Sequence, residues 1–241
     1  MVKVTLMSWT EKPIETIYAA FMNMHNKIQG DLSYIELSKQ ELESFMEMLM
    51  KQPHQTVLEF VNTNWLIEDV SRAFQQQLTR TRQASYSIQS LRIVDAGKFA
   101  DEHKYTTSSK ICGSTKLWNL YEKAMINAQK NYRELIESGA PVEDARGILP
   151  LNIHSPITMS INMRSLYHLL ELRFCDNTQE EFRLVAEAMR REITNKMHPI
   201  FAKPMQPICM SLGKCPSPFP CDKYPNIPKE KFPDISKWLK G

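Results

Sequence analysis

Arg80, Arg82 and Arg92 fall in the thirteen residues Arg80-Thr81-Arg82-Gln83-Ala84-Ser85-Tyr86-Ser87-Ile88-Gln89-Ser90-Leu91-Arg92, with three serines and no acid. A guanidinium offers a planar fork of donors that matches phosphate oxygens. Serine hydroxyls add neutral hydrogen bonds to the same oxygens. The stretch therefore has the makings of a site for a phosphorylated ligand. It equally has the composition of a solvated basic face, which most arginine-rich stretches are.

Arg146, Arg164 and Arg173 form a second set. The spacing predicts one helix over 162–173. At about 100° per residue, Arg164 and Arg173 lie on its opposite flanks and need not serve one ligand. Asn162 stands at the helix start, where free N–H groups favour anions. His168, four residues past Arg164, shares its face. A wet, basic helix side would look the same.

Other chemistries find less support. There are only seven glycines and no GxGxxG or GxxxxGK[ST]. Any nucleotide must be held by side chains and helix ends, not by a glycine-rich turn. There is no GxSxG, and Ser85, Ser87 and Ser90 have no obvious paired base. Cys209, Cys215 and Cys221 are too widely spaced for a zinc knuckle and supply only three thiolates. His198 could add a fourth ligand, but no metal site is expected. Five cysteines without a CxxC pair suit reduced thiols.

These residues need elements to position them. The 241 residues suffice for one large domain or two small ones, with 42% hydrophobic residues to build a core. A net charge of +3 is too small to argue for nucleic acid. No apolar run is long enough to span a bilayer, and the start alternates like a strand rather than a secretory signal. A soluble, cytoplasmic protein is expected, with no membrane or nucleic-acid partner.

Val2 to Trp9 reads as a strand. Thr10 can cap a helix with Pro13 in its first turn. Ser38-Lys39-Gln40-Glu41 is a capping box, opening a helix with the stripe Leu42, Phe45, Met46 and Leu49. His54 to Phe60 reads as a turn into a strand, and Asp69 to Leu78 as a helix. Ile93 to Phe99 is a short strand or loop. Ser114 to Ser138 is the longest helical pattern, with Gly139 placed to end it. Pro141 begins a short helix that ends near Gly147. Ile153 to Ser160 reads as a strand interrupted by Pro156. Thr178 can cap a helix reaching Met197. Nine of the fourteen prolines lie from Pro199 onward, predicting an extended surface segment with a final turn at Ile235 to Leu239. The class is α+β, a mixed sheet with flanking helices.

The motifs together resemble the flavin-dependent thymidylate synthases, whose signature is R-H-R-x-x-S-x-N-E-x-S-x-R. Arg80, Arg82, Ser85, Ser90 and Arg92 sit at its spacing. His54-Gln55-Thr56 with Glu59 resembles the family's H-x-[ST]-x-x-E-H. Ala145-Arg146-Gly147-Ile148-Leu149-Pro150 resembles A-R-x-x-L-P. Asn162, Arg164, His168 and Leu172-Arg173 follow at family spacing. The resemblance covers residues 1–200, with 201–241 a proline-rich extension.

The resemblance implies a homotetramer with intersubunit active sites and FAD bound without a Rossmann fold. It implies reductive methylation of dUMP, with methylenetetrahydrofolate as carbon donor and NADPH as reductant. Gln77, Arg80, Gln89, Ser90, Arg92 and Arg146 would bind the nucleotide. Arg173 would face the pyrimidine as the catalytic cation. His54, Thr56, Arg80, Thr81, Arg82, Asn162, Arg164 and His168 would contact FAD. Three departures fall inside the signature: Thr81 for histidine, and Ser87-Ile88 for Asn-Glu. They leave the phosphate binders intact and alter the part nearer the ring. Another pyrimidine such as dCMP, a hydroxymethylated product, or a silent nucleotide- or nucleic-acid-binding relative are the alternatives.

Overall fold

The structure, a computed structural model, describes residues 2–27, 37–52, 54–221, 223–224 and 226–228. Strand β1 (Lys3–Trp9) and helices α1 (Pro13–Met24) and α2 (Lys39–Met50) come first. A 3-10 turn at Thr56–Phe60, strand β2 (Asn62–Glu68), α3 (Arg72–Leu78) and strand β3 (Ala84–Ile88) follow. Next are α4 (Ser109–Cys112), α5 (Thr115–Glu137), α6 (Val142–Ala145) and a 3-10 turn at Arg146–Ile148. The chain continues through β4 (Ile157–Asn162), α7 (Met163–Arg173), α8 (Glu180–Lys196), a 3-10 turn at Pro199–Phe201 and α9 (Ile208–Leu212). The α+β class is as the sequence predicts. Among the described residues no helix is long and apolar enough to cross a membrane.

The four strands form one antiparallel sheet in the order β1-β2-β4-β3. Alternation sends Leu6, Trp65, Ile67, Ile157, Met159 and Ile161 to a buried face. The other face is polar: Ser8 lies opposite Asn64, Asn64 opposite Ser160, and Ser160 opposite Ser85. One apolar and one polar face is the usual economy of an antiparallel sheet. The apolar face joins α1, α2, α3, α7 and α8 in the main core. A smaller core lies under α5, around Phe99, Tyr105, Met125, Tyr132 and Leu149.

Local signals explain several boundaries. The capping box forms: Ser38 Oγ accepts from Glu41 N at 3.3 Å, and Glu41 accepts from Ser38 N at 2.8 Å. Ser114 Oγ caps α5 by accepting from Leu117 N. Gly139, just past α5, has φ of 90°, where glycine avoids the Cβ penalty.

Other boundaries differ. Thr10 does not cap α1; Lys12 holds that position in the left-handed region, and Thr10 Oγ1 accepts from Asn62 N at 2.9 Å, tying β1 to β2. Thr178 does not cap α8; Gln179 does so without a side-chain bond, while Thr178 Oγ1 donates to Leu172 O. Thr56–Phe60 is a 3-10 turn rather than a strand entry, and the strand starts later, at Asn62. Strand β4 begins after Pro156, which has no N–H to give; Ile153 and His154 make only isolated bridges. The segment from Pro199 is not simply extended. It carries two helical turns, and Ile200, Phe201 and Met205 belong to the main core, so packing crosses residue 200 without a break. The turn expected at Ile235 to Leu239 lies outside the described residues.

Candidate active site

Strand β3 ends at Ile88, and Gln89 N still reaches Pro156 O at 3.2 Å. The chain then turns, with Ser90 O accepting from Val94 N at 3.1 Å. This turn faces the first residues of the Arg146 segment across a cleft of about 350 Å³. Gln89, Ser90 and Arg146 all line it. A second cleft of about 470 Å³ meets it at Ser90, bounded by Arg92 and Glu143. Arg92 pairs with Glu143 at 2.5 Å, and Arg146 Nε donates to Glu143 O at 3.1 Å. The structure therefore unites four of the predicted nucleotide binders.

It also adds Arg72, which lines the same cleft from the first turn of α3. The sequence reading passed over it. The signal was there: a cation in the first turn opposes the helix dipole, so helix stability does not call for it. Ser155 Oγ, on the same cleft, is buried with no partner among the described residues. An unsatisfied buried hydroxyl beside two arginines is what a phosphate or ribose oxygen would complete.

Gln77 and Arg173, which do not line this cleft, each contact the start of α8. Phe74 of α3 packs edge-on against Phe182 of α8, with centroids 4.7 Å apart. Arg173 lays its guanidinium carbon 4.6 Å from the same Phe182 ring. The side chain of Gln77 hydrogen-bonds that of Gln179 at the start of α8. Arg173 Nε is buried and has no hydrogen-bond partner among the described residues. Burial pulls its pKa below the usual arginine value. The group still carries its charge at neutral pH, because arginine starts so high.

The predicted flavin contacts make a third group. Thr56 stands exposed on the 3-10 turn, and His54 is exposed just before it. Arg164 reaches back to that turn, pairing with Glu59 at 2.6 Å. His168 Nδ1 contacts Glu171 Oε1 at 3.0 Å. Asn162 Oδ1 caps α7 by accepting from Ser165 N at 2.9 Å, so its oxygen is engaged in structure. Arg80 and Arg82 are exposed on the turn after α3, and Thr81 is half-buried. Tyr86 pins that turn, its hydroxyl lying 3.0 Å from Leu78 O and 2.9 Å from Thr81 O.

The register of β3 sets the distance between these groups. Ala84 lies opposite Ile161 and Ile88 opposite Ile157. Arg82 therefore points to the Asn162 end of β4, and Ser90 lies at the Pro156 end. At about 3.3 Å per residue β3 sets its two ends roughly 13 Å apart, with Arg82 and Ser90 beyond them. Arg80 and Arg82 therefore stand apart from the cleft that Gln89, Ser90 and Arg146 line.

An α+β fold with arginine-lined clefts and no glycine-rich phosphate loop defines a nucleotide-binding protein outside the Rossmann and P-loop classes. The family model described as thymidylate synthase complementing protein matches residues 5–200. The flavin-dependent thymidylate synthase of Pyrococcus abyssi is 34% identical over 221 residues, 90% of each chain. That of Geobacter sulfurreducens is 32% identical over 214 residues, 89% of this chain and 90% of the relative. The chain belongs to the flavin-dependent thymidylate synthase family. Among solved structures, thymidylate synthase X from Helicobacter pylori with FAD and dUMP has a TM-score of 0.68 at 20% identity, covering 85% of this chain and 99% of that one. The UMP/dUMP methylase PolB from Streptomyces cacaoi, bound with 5-Br dUMP, has a TM-score of 0.70 at 20% identity, covering 85% and 94%. At that identity the two structures speak for the fold alone.

Proposed function

We propose that this protein is an FAD-dependent thymidylate synthase that reductively methylates dUMP to dTMP, with methylenetetrahydrofolate as carbon donor and NADPH as reductant. The observation that carries the reading is Arg173. It is a half-buried cation with an Nε unpartnered among the described residues, packed on Phe182 of α8, the helix whose start also holds Gln77. Such a group costs stability unless something completes it. Uracil offers the complement, a ring that develops negative charge when N3 loses its proton.

In this reading Arg72, Arg146 and Ser90 hold the phosphate, with Ser155 beside them. Arg173 stabilises the anionic pyrimidine and makes carbon 5 more nucleophilic, a fixed charge aimed where charge develops. FAD, when bound, supplies the redox chemistry. The residues present fit it. Exposed Arg82 and Arg164 suit its pyrophosphate, and exposed Phe60 and Ile88 offer apolar surface. His54, Thr56, Thr81, Asn162 and His168 are its further proposed contacts.

The active site is proposed to form between subunits of a homotetramer. The separation of Arg82 from Ser90 along β3 supports this, since a second copy can bring its Arg80 and Arg82 to the Ser90 cleft. The protein is proposed to act in the cytoplasm.

The test is tritium release from carbon 5 of labelled dUMP, set beside labelled dCMP, with FAD, methylenetetrahydrofolate and NADPH. Release from dUMP is expected. Release from dCMP alone would replace uracil by cytosine, with Ile88 at the cleft as the changed residue. A chain that takes up no FAD and releases no tritium would refute the enzyme reading.

A further inference from the structure

Cys175 follows α7, Cys209 lies within α9, and Cys215 and Cys221 lie in the loop beyond it. All four line one cavity of about 270 Å³. Cys209 is buried, the other three are half-buried, and all are free thiols. Burial pushes the Cys209 thiol up, and Cys215, Cys175 and Cys221 add to the effect, so the four sulfurs lie within electrostatic reach of one another. Asp176, which also lines the cavity, is engaged by Lys223 at 3.2 Å.

The cavity is held together from both sides. Gly213 ends α9 with φ of 66°, which turns the chain back. Cys215 N donates to Pro228 O at 2.8 Å. Asn177 donates to Ser217 Oγ at 3.0 Å, joining the α7–α8 connection to the cysteine loop. Three distant segments thus deliver four soft ligands to one place. Three widely spaced cysteines gave no reason to expect a metal; the fold supplies the fourth, Cys175.

We propose that Cys175, Cys209, Cys215 and Cys221 bind one zinc ion that clamps the segment after α9 to the end of α7. Four thiolates suit zinc in tetrahedral geometry. Among the described residues no three ligating side chains already stand in coordinating arrangement. Binding therefore draws the sulfurs inward, to about 2.3 Å from the ion, with the loop of Cys215 and Cys221 closing over it. Each thiol gives up its proton and the zinc takes the four electron pairs, so no oxidant or reductant is needed.

The experiment uses the full-length chain without an affinity tag, purified anaerobically under reductant. Zinc content is measured first, and the metal-free chain is then titrated with cobalt(II). One zinc per chain is expected. One equivalent of cobalt should give the thiolate-to-cobalt charge-transfer band and the visible bands of a tetrahedral site. Cys112→Ser, outside the cavity, should bind cobalt unchanged. Cys215→Ser, on the loop, should weaken binding by at least the roughly 10–100-fold that loss of an outer supporting group costs a metal site. A reduced, folded chain without cobalt bands overturns the proposal, as does an unchanged spectrum in Cys215→Ser. The readout needs neither flavin nor nucleotide, so it stands or falls apart from the methylase reading.

Discussion

Arg173 shows how one side chain serves packing and chemistry together. Its guanidinium rests on Phe182, and its Nε has no partner among the described residues. Arg173→Lys keeps the charge but loses the planar fork, and lysine cannot occupy the same stacked position. Its kcat is expected to fall about 10²–10³-fold, the scale of losing one preorganised donor, with KM for dUMP nearly unchanged. Steady-state kinetics with varied nucleotide check this. Arg72 acts differently, since it shares a cleft with Arg146 and Ser90. Arg72→Ala is expected to weaken nucleotide binding by about 1.5–3 kcal/mol, the worth of a charge-assisted hydrogen bond. Calorimetric titration with dUMP in the presence of FAD measures it. The arginines of the signature were legible because guanidinium spacing is written in the chain. Arg72 was not, because only folding sets it beside Arg146.

At the scale of elements, α3 supplies Arg72 and Gln77 and is held at its start by α8. Glu181, 4% exposed, accepts from Ser71 N and from Ser71 Oγ, both at 2.6 Å. Ser71 Oγ in turn caps α3 by accepting from Phe74 N at 3.0 Å. Glu181→Gln puts an amide where two donors converge and should cost about 2 kcal/mol of stability, read by urea unfolding. Nearby, His154 is half-buried and its pKa is lowered by that burial, against the pull of Asp69. Its folded pKa thus lies below its unfolded one. The neutral ring's contribution is present above the unfolded pKa and is lost as pH falls through it toward the folded value. Stability should drop between about pH 6.5 and the folded pKa, and His154→Gln should flatten that drop in thermal melts. Helices were the legible elements: the capping box at Ser38 and the stripe of α2 are local features. Strand β2 was placed too early although Thr63, Trp65 and Ile67 alternate inward, because polar Asn62 and Asn64 between them resemble a loop.

At the scale of the molecule, the decisive quantity is the length of β3. It sets Arg82 and Ser90 beyond opposite ends of a strand that spans roughly 13 Å. In the proposed assembly a second copy brings its exposed Arg80 and Arg82 to the Ser90 cleft. Arg80→Ala and Arg146→Ala are each expected to be inactive as pure proteins. Unfolded together and refolded, they should recover about one quarter of wild-type activity, because a random closed assembly joins two intact halves at that frequency. No recovery, with mixed assemblies verified by mass, would mean that both residues serve one site from one chain.

The sequence by itself determined the family, the α+β class and which arginines are candidates for phosphate, because motif spacing and side-chain chemistry are local properties of the chain. It also ruled against a glycine-rich phosphate loop, since seven glycines stand in no such pattern. Only the tertiary structure decided which arginines share a cleft, that Arg72 joins them and that Arg173 is left with an unsatisfied nitrogen. It alone brought Cys175 to Cys209, Cys215 and Cys221. The reason is common to all four cases. Contacts between residues far apart in sequence arise from the register of strands and the packing of helices, and neither leaves a periodic trace in the residues that meet.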